Sequence, residues 1–234
     1  MRLEHYNNLA KLFEYPEEDY RALIIETIDD ISGDYPDAAQ ELEKFLELLP
    51  SQMGELQELY SKSFEVQAVT SLDVGYVLYG DDYQRGVILA NLKNEHDKVS
   101  NTCNEELPDF LPNLLRLLPK IEDDAIRDEM VTMLIAVAVE KMMGEYSASA
   151  LRAKDKLYQK QYKVLITPTL PVEIFLYAFN ALYAVLDSDF TLLKDNKPFR
   201  DESFLGHIER ELGVQEGKQS SNSCSTTGCS IGSC

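Results

Sequence analysis

Val172-Glu-Ile-Phe-Leu-Tyr-Ala-Phe-Asn-Ala-Leu-Tyr-Ala-Val-Leu186 is the stretch that decides the fold. It follows the break Thr167-Pro-Thr-Leu-Pro171 and is apolar on nearly every side, the pattern of a helix enclosed by other helices. Polar residues interrupt it, and it is too short to cross a bilayer core of about 30 Å, so it reads as the central helix of a bundle. No alternating Val/Thr/Tyr run of the kind that marks strands accompanies it.

Outward from that segment, helical periodicity with Pro, Gly and acidic punctuation predicts helices over 3–14, 19–31, 36–49, 53–64, 82–99, 108–118, 123–150 and 202–212. Pro16 and Pro50 stop two of them, since a residue before proline avoids the helical region. Asp81 or Asp82 is placed to cap the helix from 82, Gly80 to bend the turn before it, and Asp123 and Asp124 to favour the start of the helix from 123. Met130, Leu134, Val137, Ala138 and Met142 give that last helix a wide apolar face. The fold class is all-α, a single-domain bundle of eight to ten helices over 1–214. A Gly/Ser/Thr/Cys-rich tail over 215–234 is too poor in large apolar residues to offset its own ordering entropy.

The 234 residues carry 41 acidic against 22 basic side chains, a net charge of −19. That balance repels phosphate backbones and anionic headgroups and attracts cationic partners, so neither nucleic acid nor membrane insertion is expected. Solubility alone also accounts for it. The first residues hold no apolar run behind a basic start, which predicts a cytoplasmic chain. Of four cysteines, Cys103 lies in the body and reads as partly buried. Cys224, Cys229 and Cys234 sit in the tail at a spacing wider than that of structural zinc sites, leaving thiol redox or metal capture and a plain reduced extension both open. His5, His96 and His207 are scattered, and no phosphate loop or nucleophile elbow occurs, so no catalysis is expected. A metal-dependent hydrolase built on Asp81-Asp82 or Asp123-Asp124 would need convergent ligands that this spacing does not offer.

Two loop segments carry the candidate site. Ser71-Leu-Asp-Val-Gly-Tyr-Val-Leu-Tyr-Gly-Asp-Asp-Tyr-Gln-Arg85 crowds apolar and aromatic groups beside carboxylates, and Glu105-Glu-Leu-Pro-Asp109 sets acids and a proline at the mouth of a helix. Both also read as ordinary connections with capping acids. The site-forming reading places them on one side of the bundle, flanking a groove lined by Tyr60, Phe64, Leu72 and Tyr76, with Arg85 paired to Asp82 one turn back and Glu105 at the positive end of a helix. An extended or amphipathic peptide with basic and apolar side chains fits such a groove.

The order Leu12-Phe13-Glu14-Tyr15-Pro16, Tyr60 to Phe64, Ser71-Leu72, Gly80-Asp81 with Arg85, and Leu107-Pro108-Asp109 resembles the NarJ and TorD/DmsD family of assembly chaperones for molybdenum-cofactor oxidoreductases, with the nitrate reductase branch the nearer likeness. The resemblance implies a cytoplasmic, all-helical, non-enzymatic protein that holds the N-terminal region of a molybdoenzyme catalytic subunit until its cofactor is inserted. The molybdenum cofactor would be handled by the client and not bound stably by this chain. Peptide contact then falls to Tyr60, Phe64, Asp81, Arg85 and Asp109, with Leu72, Tyr76, Asp82 and Glu105 beside them. The family's usual Pro-Asp-His is Pro108-Asp109-Phe110 here, which puts in doubt any role carried by that histidine. Homodimer formation stays open, as does a general acidic peptide-binding adaptor with no part in cofactor assembly.

Overall fold

The computed structural model describes residues 3–162, 164, 171–190 and 192. Among them the chain is all-α, with no strand; one isolated bridge pairs Asp73 with Phe110. The α-helices are α1 (Tyr6–Lys11), α2 (Tyr20–Ile31), α3 (Pro36–Leu48), α4 (Met53–Phe64), α5 (Val74–Tyr79), α6 (Tyr83–Lys98), α7 (Leu111–Leu117), α8 (Asp124–Met130), α9 (Ala136–Gly144), α10 (Ala148–Gln161) and α11 (Ile174–Phe190). The helix expected over 202–212 and the tail thiols Cys224, Cys229 and Cys234 lie outside the described residues.

α11 is the centre of the bundle, as its composition predicts: none of residues 174–186 is exposed. It packs against α3 and α9. Phe175 and Phe179 gather rings from three other parts of the chain, with Phe13 4.8 Å from Phe179, and Phe45 and Phe64 at 5.4 and 4.8 Å from Phe175. Each tilted or edge-on pair adds about 0.5–1.5 kcal/mol beyond the burial of its area. At the far end of α11, Asp189 accepts hydrogen bonds from the Tyr6 hydroxyl (2.9 Å) and the Tyr35 hydroxyl (2.5 Å), and its Oδ2 lies 3.0 Å from His5 Nε2. This carboxylate ties the start of the chain and the head of α3 to the end of the central helix.

Local chemistry explains most boundaries. Pro36 occupies the first turn of α3, where its missing N–H costs nothing. Asp82 caps α6 by accepting from the Gln84 N–H at 2.9 Å, and Gly80 takes φ 63°, a left-handed turn that glycine adopts without strain. Asp123 caps α8 through the N–H groups of Ala125 and Ile126.

Several expectations are corrected. α1 is shorter than 3–14 because the chain leaves the helix after Lys11, and the carbonyls of Leu12 and Phe13 are taken by the hydroxyls of Tyr20 (2.6 Å) and Tyr60 (3.0 Å). The helix expected from Pro108 begins at Leu111, with Pro112 in its first turn, so Glu105 and Glu106 do not sit at a helix start. The segment 71–85 is no simple loop, since α5 occupies part of it. The single helix expected over 123–150 is a rod from Asp124 to Gly144 with a π-turn at Val131–Ile135, and a second helix, α10, follows after a break. Ser147 starts that helix by accepting from the Ala150 N–H at 3.3 Å. No described helix is long and apolar enough to cross a membrane.

Candidate functional site

The two segments singled out in the sequence meet. Val74 N–H donates to the Asp109 carbonyl and Leu111 N–H to the Leu72 carbonyl, both at 2.9 Å, so a short antiparallel contact joins the entry to α5 with the entry to α7. The Asp109 side chain then turns inward and is fully buried. Its Oδ2 accepts from the Gly75 N–H at 3.1 Å and from Arg85 Nε at 3.4 Å, while Arg85 Nη2 reaches Asp73 at 3.2 Å. Gly75 is required by this approach, because a Cβ there would stand 2.7 Å from Asp109 Oδ2. Asp109 Oδ1 is buried without a partner beyond the residue's own main chain. Burial raises the Asp109 carboxyl and the neighbouring Asp73 raises it further; Arg85 and the Gly75 N–H pull it back only in part.

Behind this clasp lies a second polar layer that sequence reasoning missed. His96 is buried, which lowers its pKa and favours the neutral ring. Nε2 sits 3.0 Å from the Pro108 carbonyl, which can only accept, so the proton belongs on Nε2 and Nδ1 accepts from Asn101 Nδ2 at 2.8 Å. Asn101 also donates to the Asn113 carbonyl, and Lys120 donates to Asn101 Oδ1 at 2.6 Å. Asn113 Nδ2 donates to the carbonyls of Cys103 and Leu107. These bonds satisfy the main chain of the twelve-residue connection between α6 and α7, which would otherwise leave buried carbonyls unpaired. The one signal in the sequence was an asparagine inside the apolar run Leu111-Pro-Asn-Leu-Leu115, where only a satisfied amide is tolerated.

Arg85 and Asp109 are thus brought together, and Tyr76 joins them, its ring 5.2 Å from the Arg85 guanidinium. The pairing of Arg85 with Asp82 does not form: the buried Asp109 and the half-buried Asp73 hold the guanidinium, and Asp82 is engaged as a cap. Tyr60, Phe64 and Leu72 are 4, 9 and 3 % exposed and face the core. The wall they form is packed, and the apolar groups that reach the surface around it are Tyr15, Val66, Tyr76 and Leu107. Tyr15 stands edge-on to Tyr60 at 5.4 Å. Asp81, Asp82 and Glu105 are exposed.

The surface around these groups is strongly electronegative. Burial raises the Glu106 carboxyl, and Asp73, Glu65 and Glu105 raise it further, which places four carboxylates within electrostatic reach of one another. The Tyr60 hydroxyl is also pushed up, first by burial and then by Glu65, Glu106 and Tyr15. An acidic rim with aromatic and aliphatic groups exposed among it suits cationic, amphipathic matter. Among the described residues no group of His, Cys, Asp and Glu could hold a metal ion. Cys103 is half-buried, and burial pushes its thiol up, away from the reactive thiolate.

Fold and surface together define an all-helical bundle whose buried polar residues are structural clasps beneath an acidic, aromatic face. No protein-family model matches the chain. It is 29 % identical over 168 residues to the probable nitrate reductase molybdenum cofactor assembly chaperone NarJ of Bacillus subtilis (strain 168), a match covering 69 % of this chain and 85 % of that relative. The likeness to NarJ-like proteins read from the order of motifs is supported by this relative.

Proposed function

We propose that this chain is an assembly chaperone for a nitrate reductase, holding the N-terminal region of its catalytic subunit in the cytoplasm while the molybdenum cofactor is inserted into the client. The likeness to NarJ over most of both chains carries the reading. The acidic face gives it a physical mechanism. Exposed Tyr15, Val66, Tyr76 and Leu107 offer apolar area to the hydrophobic side of a peptide, and Glu65, Asp73, Glu105 and Glu106 attract its Lys and Arg side chains. Tyr60, Phe64, Leu72 and Asp109 act from beneath, fixing the shape of that face, while Asp81, Asp82 and Arg85 border it. Chemistry on the client belongs to other components; this chain holds and releases.

Calorimetric titration with N-terminal peptides of nitrate reductase catalytic subunits tests the reading. Binding that weakens as ionic strength rises, and that falls about tenfold in a Glu65→Gln/Glu106→Gln variant, is expected, since surface pairs are screened beyond about 8 Å in physiological salt. Binding indifferent to both salt and substitution would remove the acidic face from the mechanism.

A further inference from the structure

α10 is the one described helix of more than two turns with no buried residue. It is also basic, with Arg152, Lys154, Lys156 and Lys160 against Asp155, in a chain of net charge −19. Half-buried Leu151 packs its first turn against the core, and beyond that the helix is held by polar contacts that converge mostly on one place, the 62–70 stretch that leads from α4 toward α5. The Tyr158 hydroxyl donates to the Ala68 carbonyl at 2.8 Å. Lys154 Nζ donates to the Val69 carbonyl and lies 3.0 Å from Glu145. Just past the helix, Gln67 Nε2 donates to the Val164 carbonyl at 2.9 Å. Beneath it Lys62 is buried, its ammonium 5.4 Å from the centre of the Tyr158 ring and donating to the Gln67 carbonyl at 2.9 Å. Gln67 itself takes φ 48°, a left-handed conformation that costs a side-chain-bearing residue and turns this stretch outward.

This stretch adjoins the acidic face. Glu65 belongs to both, and Tyr158 lies within electrostatic reach of Tyr76. The contacts therefore describe what a bound segment needs there: two main-chain carbonyls and a carboxylate, met by an ammonium and a hydroxyl-bearing ring one helical turn apart. We propose that the carbonyls of Ala68 and Val69 with the Glu145 carboxylate form a docking site for a basic amphipathic helix, occupied at rest by α10 and surrendered to the leading segment of the client. The inference rests on the function proposed above and adds its regulation. α10 is a strap hinged at 145–147, and a client segment of the same chemistry competes with it. Apparent affinity then equals intrinsic affinity multiplied by the fraction of molecules with the strap displaced.

The test uses the full chain and a Lys154→Gln/Tyr158→Phe variant, which loosens α10 without touching the core. Hydrogen exchange across 148–161 should quicken in the variant, and an N-terminal peptide of a nitrate reductase catalytic subunit should bind it about tenfold more tightly than the parent. Equal or weaker binding to the variant would overturn the strap while leaving the proposed function standing. Unchanged exchange across 148–161 would also overturn it, since these contacts would then not be what holds the helix. A peptide that binds neither form removes both readings.

Discussion

Two buried carboxylates organise this molecule, and they are satisfied in opposite ways. Asp189 receives two tyrosine hydroxyls and faces the His5 ring; although burial raises its carboxyl, the bonds from His5, Tyr35 and Tyr6 outweigh that and hold it below the usual carboxylate range. Asp109 is buried more deeply, has Asp73 as a like-charged neighbour and keeps one oxygen without an outside partner, so its carboxyl sits above that range. The first stabilises the ionised form and the fold together. The second holds charge at a cost, next to the face proposed to meet the client. Strain of this kind collects where function constrains the fold.

The contrast can be broken by substitution. Asp189→Ala should have the largest effect, about 3–5 kcal/mol by urea denaturation, because it leaves Tyr6 and Tyr35 without their acceptor and undoes the link between chain start and central helix. Gly75→Ala should cost about 1–3 kcal/mol, since the added methyl meets a buried carboxylate that has little room to retreat. Asp109→Asn should cost about 1 kcal/mol or less, because a neutral amide still accepts from Gly75 and no longer faces Asp73. If Asp109→Asn proved as damaging as Asp189→Ala, the two sites would not differ as described.

The finest distinction is in pH. A depressed native value means that the Asp189 contribution is complete above the unfolded value of about 3.9 and is lost as pH falls through the native one. A raised native value acts with the opposite sign: between the unfolded value and the native one the folded chain binds more protons, so stability falls as pH rises through that window. Denaturation midpoints measured across the acid range should therefore show a smaller acid-side decline in Asp189→Asn, with Glu41 still contributing, and a smaller fall at higher pH in Asp109→Asn, with Glu106 still contributing. Parallel curves for parent and both variants would refute the assignment.

Legibility in the sequence followed the size of the buried face. α2, α3, α4 and α6 matched their expected spans to within a residue at each end or better, because each has apolar residues at helical spacing and a proline, aspartate or glycine at a boundary. α5 has six residues, too few for a period to show. α10 was invisible for the opposite reason: it buries no residue fully, so Leu151, Leu157 and Tyr158 formed no core stripe, and Gly144 after Met142-Met143 was read through instead of as an end. Within the site, Arg85 and Asp109 stood out by charge in apolar surroundings, whereas their meeting with Gly75 depended on a turn no periodicity describes. Asp189 could not be found at all, since its partners lie 154 to 184 residues away.

The π-turn at Val131–Ile135 has a consequence for how the rod tolerates change. One extra residue in a regular α-helix would advance every later side chain by about 100° around the axis, and a widened turn absorbs that residue within the same rotation. Val139 and Met142 face inward beside α5 and α11 because the turn before them takes up the extra residue, and Met133 is left outside at the widened turn. Deleting a single residue there would restore a regular spiral and leave α9 facing its neighbours, whereas tightening the turn with all its residues kept would rotate the whole of α9 out of phase, a fault of angle that no compensating side chain could repair.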